Sequence, residues 1–258
     1  MAVLLAATGV VYGLATNPVL DWSVTLRYLF APPILKGVSV TVQLSVYSML
    51  LGTVVGLLVA LGRLAGNPVL RAMSSAYILL FRSVPVLLQL LLWGNIGLIA
   101  RNITLGIPFT DIQFFSIETN DLIVPFTAAV IGLALAEGAY MSEVIRAGVL
   151  SVDRGQLEAA ASLGMTPSRA TRRIVLPQAL RVIIPPAGNQ FVTLIKSTSL
   201  VSVIAGGDLL TQTTNIASTN YRVIEMLVVA AFWYLILVAI ASIGQYFIEK
   251  YYSKDLAA

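Results

Sequence analysis

Residues Glu158–Pro177 read EAAASLGMTPSRATRRIVLP. This is the polar, charged interruption in the C-terminal half of an otherwise apolar chain. The segment GQLEAAASLG sets good helix formers between Gly155 and Gly164. Gly164 can close that short helix in the left-handed conformation. Thr166 then reads as an N-cap and Pro167 as the first residue of a second helix. Arg169, Arg172 and Arg173 follow on that helix, and Pro177 marks the junction with the next apolar segment. The expected local structure is helix, tight glycine turn, helix, within a loop over 150–177 between two membrane spans. Loops elsewhere are short, so this is the surface the chain offers to a soluble partner.

The composition sets the class. Of 258 residues, 58% are hydrophobic and 11% charged, with a mean hydropathy of +0.89. Soluble domains carry roughly 25% charged residues, so a polytopic helical membrane protein is expected. There is no Cys and no His, which excludes disulfides, Cys/His metal sites and imidazole acid–base catalysis. The formal charge of +4 does not point to nucleic acid, because cytoplasmic loops of membrane proteins are basic.

The loop also carries a resemblance. Glu158-Ala159-Ala160, three residues, Gly164, nine residues, then Ile174-x-Leu176-Pro177 looks like the EAA loop of bacterial ABC importer permeases, matched at every position. Three further stretches resemble the polar amino acid uptake branch of that family. Glu137-Gly138-Ala139-Tyr140, Glu143, Arg146 and Gly148 match its E-G-A-Y-x-x-E-x-x-R-x-G run. Arg82, Pro85 and Gln89 match R-G-T-P-x-x-x-Q, with Ser83 and Val84 in place of Gly and Thr. PPAGNQF and KSTSLVSVI at 185–191 and 196–204 complete the likeness, which runs from Ile34 to the C-terminus.

The resemblance implies an all-α bundle of about six spans with the five-helix core of type I importer permeases. It implies two such permease subunits, identical or homologous, two ATP-binding cassette subunits and an extracytoplasmic solute-binding protein. ATP and Mg would be bound by the ATPase, and no cofactor or metal by this chain. Gln156, Glu158, Ala159, Ala160, Gly164 and Arg169 would couple to the ATPase. The implied function is translocation of a polar or charged amino acid across the cytoplasmic (inner) membrane by alternating access, with no covalent chemistry in this chain.

Read in order, residues 1–33 form an N-terminal segment and 34–258 the transmembrane domain. Ala2–Thr16 is apolar but shorter than the ~20 residues of a full span. It lacks the basic start of a signal peptide, so a short first span is expected. Asn17–Pro33 is interfacial or a soluble amphipathic loop. Further spans are expected over Ile34–Leu64, Met73–Ile99, Leu122–Leu150, Ala179–Ile204 and Val223–Phe247. Pro185-Pro186 is expected to interrupt the Ala179–Ile204 span early. A polar extracytoplasmic loop is expected over Arg101–Asp121, and Gly206–Asn220 is expected to be polar and external. Gly52, Gly56 and Ala60 form a small-residue stripe suited to close helix packing, within the chain or at a dimer seam.

Lys and Arg are unevenly distributed. Arg63, Arg71, Arg154, Arg169, Arg172, Arg173, Lys250 and Lys254 fall on one side, against Arg27, Lys36, Arg101 and Arg222 on the other. The richer side is expected to be cytoplasmic, which places the 150–177 loop and the C-terminus inside.

Polar residues within apolar spans are costly and mark a path by default. The candidates are Arg82, Gln89, Glu137, Tyr140, Glu143, Asn189, Gln190, Lys196 and Thr198. Glu137, Glu143, Asn189, Gln190 and Lys196 read as the deepest. A structural alternative stands beside this, with Glu143 paired to Arg146 and Lys196 in an interhelical ion pair. Arg82 can equally snorkel to the interface.

No G-x-x-x-x-G-K-[ST] run is present. A secondary transporter or channel would also bury charges but would need no docking loop. An intramembrane hydrolase would pair Lys196 with Ser199, Ser197 or Ser83, in poor geometry and without evident oxyanion donors.

Overall fold

Asp21 starts the fold seen in the computed structural model, which describes residue 13, residues 20–106 and residues 113–253. Apart from residue 13, the span expected over 2–16 lies outside the described residues, as does Lys254. The Asp21 carboxylate accepts from the backbone N–H groups of Ser23 and Val24 and caps α1, Trp22–Leu29. The Leu29 carbonyl accepts from the Trp233 indole N–H at 2.7 Å, so this stretch is a docked helix and not a free loop.

Pro32, at a first-turn position where a missing N–H costs nothing, opens α2, Pro32–Leu64. At ~1.5 Å per residue, its 33 residues exceed the ~30 Å bilayer core. α3, Pro68–Ser83, begins at Asn67, whose side chain accepts from the Val69 N–H. α4, Val86–Gly94, follows.

The expected single span Met73–Ile99 is corrected here: α3 and α4 meet at 99°. Pro85 drives Val84 into extended backbone (ψ 127°), and α3 ends. The Gln89 amide then donates to the Phe81 and Val84 carbonyls at 3.1 and 2.8 Å, which secures the corner.

α5, Ile96–Ile99, leads to an antiparallel pair, β1 (Asn102–Gly106) and β2 (Gln113–Glu118), paired from Asn102↔Glu118 to Gly106↔Gln113 with a register shift between Leu105 and Gly106. The expected polar loop is therefore a β-hairpin. Ile103, Thr104, Phe114, Phe115 and Ile117 are strand formers outside any helical period.

After α6, Thr119–Leu122, comes α7, Pro125–Leu150. α7 is the central helix: 72% of its most apolar window is buried, against 33% for α2. The stripe Gly52, Gly56 and Ala60 is spent on this contact. A Cβ on Gly52 would stand 2.9 Å from the Glu137 Cβ, and one on Gly56 2.7 Å from the Met141 Cβ. The close packing is thus internal to the chain.

α8, Arg154–Ser162, and α9, Pro167–Ala170, form the polar hairpin. A π-helical turn, Thr171–Val175, runs directly into α10, Leu176–Ser197, and a 3₁₀ segment, Thr198–Ile204. Pro177 does not break the chain direction, because the wider π turn before it relieves the clash of its ring with the preceding turn. Pro185 and Pro186 likewise lie inside α10.

The polar segment at 206–220 is mostly helical. Asp208 caps α11, Leu209–Asn220, and the Leu209 N–H donates to the Thr41 hydroxyl at 3.0 Å, so α11 is packed against α2. α12, Val223–Ser253, closes the chain. Among the described residues, three helices are long and apolar enough to cross a membrane, and up to five spans result if each bent pair counts as one. The chain is an all-α polytopic bundle. Its main core joins Leu44, Leu90, Leu133, Leu194 and Val201 from α2, α4, α7, α10 and the 3₁₀ segment.

Candidate functional site

The hairpin is built by local chemistry at both ends of α8. The Asp153 carboxylate accepts from the Gly155 N–H at 2.7 Å and caps the start. At the other end the Gly164 N–H donates to the Ala161 carbonyl (2.9 Å) and the Met165 N–H to the Ala160 carbonyl (3.0 Å). This paired closure needs a left-handed residue, and Gly164 has φ +73°. Thr166 Oγ1 accepts from the Arg169 N–H at 3.4 Å, and Pro167 opens α9.

Ala160 is buried, and the amides of Gln156 and Gln178 exchange bonds at 2.6 and 3.3 Å, which fixes the hairpin to the first turn of α10. Glu158, Ala159, Arg169, Arg172 and Arg173 face outward. Leu163, 82% exposed at the turn, is a surface residue that the sequence reading missed. The signal was available: with Ala160 the buried residue of this short polar helix, an apolar residue at its cap has no core to enter. Behind the hairpin lies an apolar cleft of about 780 Å³ bordered by Leu57, Leu61, Leu150, Leu157 and Leu180.

The path candidates fall in several places. Glu143 pairs with Arg146 at 2.8 Å, as spacing predicts, and also faces Arg63 of α2 at 3.9 Å. Arg63 bonds the Ser75 hydroxyl as well, so this cluster ties α2, α3 and α7 together. Glu137 is 6% exposed and packs on Gly52. Its Oε1 has no hydrogen-bond partner among the described residues. Arg82 is exposed, with its guanidinium 5.2 Å from the centre of the Tyr140 ring. Gln89 is buried at the α3–α4 corner, and Thr198 is buried with its hydroxyl donating to the Ile195 carbonyl.

Asn189 and Lys196 are exposed and Gln190 half-buried, so they are not among the deepest polar groups. Asn189 instead donates to Glu249 Oε1 at 3.2 Å. No ion pair to Lys196 occurs among the described residues. The Ser199 hydroxyl donates to the Lys196 carbonyl at 2.8 Å, not to its amine, which leaves no nucleophile–base pair there. The arrangement offers charges and dipoles along a bundle, not reactive chemistry.

Residues 52–254 match the family model described as binding-protein-dependent transport system inner membrane component. The chain belongs to this family. As a permease it is similar to the arginine transport system permease protein ArgU of Corynebacterium glutamicum, with 40% identity over 92% of this chain and 74% of that one. It is similar also to the L-cystine transport system permease protein TcyB of Bacillus subtilis, with 34% identity over 92% and 93% of the two chains. A solved structure described as an amino acid ABC transporter with histidines superposes with a TM-score of 0.74, at 33% identity, over 90% of this permease and 98% of that chain. The permease is a membrane-spanning transport subunit; ATP hydrolysis belongs to a separate subunit of the ABC importer.

Proposed function

We propose that the permease carries amino acids inward across the cytoplasmic membrane, as part of a complex with a second permease subunit, two ATPases and an extracytoplasmic solute-binding protein. The observation that carries this reading is the Arg154–Ala170 hairpin, capped at each turn and pinned to α10, with Glu158, Ala159 and Leu163 turned outward. The hairpin lies on the Lys/Arg-rich, cytoplasmic side and docks in the ATPase through Gln156, Glu158, Ala159, Ala160, Gly164 and Arg169. ATP and Mg stay in that partner. Closure of the ATPases displaces the hairpin, and with it the N-terminal end of α10, to open the path outward; hydrolysis resets it inward.

The relatives named for arginine and for L-cystine share the α-amino acid head as cargo. Such a head needs both signs of charge. Glu137 and Tyr140 are three apart on α7, and Arg82 lies over Tyr140, so one corner of the bundle holds both. Gln89, Glu143, Asn189, Gln190, Lys196 and Thr198 extend the polar lining along the path.

The test is transport in proteoliposomes with saturating binding protein and labelled arginine, glutamine and cystine. Glu137→Gln is expected to lower transport about tenfold or more, the size of a lost charge-assisted hydrogen bond, with the complex still assembled. Failure to assemble makes Glu137 structural and overturns its place in the path. A wild-type complex that moves none of these amino acids overturns the proposed cargo.

A further inference from the structure

Pro185 and Pro186 lie in the interior of α10. A proline gives no N–H to the carbonyl one turn before it, so this is the softest stretch of that helix. α12 places one buried amide against it. Gln245, 6% exposed, donates through Nε2 both to the Pro185 carbonyl at 2.7 Å and to Glu249 Oε1 at 2.8 Å. The same Glu249 oxygen accepts from Asn189 Nδ2 at 3.2 Å. Opposite the amide is Gly188, where a Cβ would stand 1.5 Å from Gln245 Oε1. Residues 185, 188 and 189 form one face of α10, and 245 and 249 one face of α12, so the contact is a socket and a clamp.

Packing alone does not ask for this. A buried amide costs ~1–3 kcal/mol unless bonded, and an apolar residue of the same length would fill the space. The amide sits beside the two prolines, about 14 Å along α10 from its start at Leu176, between the hairpin and the rest of the bundle.

We infer that Gln245 is a positioning residue that ties the segment of α10 just after the proline break to α12, so that displacement of the hairpin passing the break moves that segment and α12 as one body. Without the clamp, that segment swings on Pro185-Pro186 independently of α12. The inference rests on the proposed coupling of the hairpin to an ATPase.

The experiment measures amino acid carried per ATP hydrolysed in the reconstituted complex, using whichever of arginine, glutamine and cystine the wild type carries fastest. Gln245→Met fills the socket without donors. Glu249→Ala, at an exposed position, removes the shared acceptor with little risk to folding, and Glu249→Gln keeps an acceptor oxygen. The ratio is expected to fall about threefold or more for the first two, with ATP hydrolysis retained, and to stay near wild type for Glu249→Gln. An unchanged ratio in Glu249→Ala overturns the inference alone. Equal loss of ratio and hydrolysis in both Gln245→Met and Glu249→Ala makes the cluster merely structural and also overturns it. A wild-type complex that hydrolyses ATP without carrying cargo overturns the coupling reading, and the clamp with it.

Discussion

Gly164 carries the geometry of the hairpin in one torsion. Its φ of +73° is required by the turn, yet a Cβ there would meet nothing within 4 Å, so the penalty for substitution is backbone strain alone. That strain is ~1–2 kcal/mol for a non-glycine residue. α8 is nine residues long and too short to hold itself together in water. Gly164→Val is expected to reduce ATPase recovery in co-purification about tenfold, the factor that 1.4 kcal/mol represents, without changing the thermal unfolding of the membrane bundle. Gly164→Asn should retain most of it. Glu158→Lys should lose the ATPase while leaving the turn intact, because the change puts a charge of the other sign on a docked surface. At this scale much was legible in advance. Gly164, Thr166 and Pro167 act through their own backbones, and such chemistry is local. Partners distant in sequence were not: Glu143 finds Arg63 across 80 positions as well as Arg146 beside it, and Asn189 finds Glu249. Spacing on one helix predicts only the near neighbour.

Helix pairing explains the other gains and losses. Hydropathy marks α2, α7 and α12 because each is a continuous apolar run. It does not show the 99° corner between α3 and α4, since Pro85 permits a bend and the Gln89 amide, with Leu90 buried beside it, secures its direction. Nor does it show α10 continuing through three prolines, with a π turn before Pro177 and Pro185-Pro186 held inside the helix. The helix α11 was hidden too: its Asp and Thr residues look solvent-seeking, but Asp208 and Thr211 satisfy one another in the buried cap. The α2–α7 seam has little slack. Gly56→Val should destabilise it by about 1–3 kcal/mol, as overpacking does, because the new Cβ would lie 2.7 Å from the Met141 Cβ and 3.0 Å from the Gly138 carbonyl. Thermal unfolding in detergent reads this directly; an unchanged midpoint would mean that the seam relaxes.

Over the described residues, the polar hairpin at 154–170 and the β1–β2 pair stand apart from the long helices of the bundle. The proposed orientation puts the first on the ATPase side and the second outside. The chain contains no cysteine, so one introduced thiol is unique and reports its surroundings without a background. The decisive measurement places a cysteine by Ala159→Cys or Leu163→Cys on the outer face of the polar hairpin, or by Phe114→Cys on β2. Each variant is co-expressed with its ATPase and binding protein and treated with a short thiol-to-amine cross-linker in the transporting complex. The account predicts an ATPase adduct from positions 159 and 163 and none from 114. An assembled, transporting complex with no ATPase adduct at 159 or 163 would contradict it.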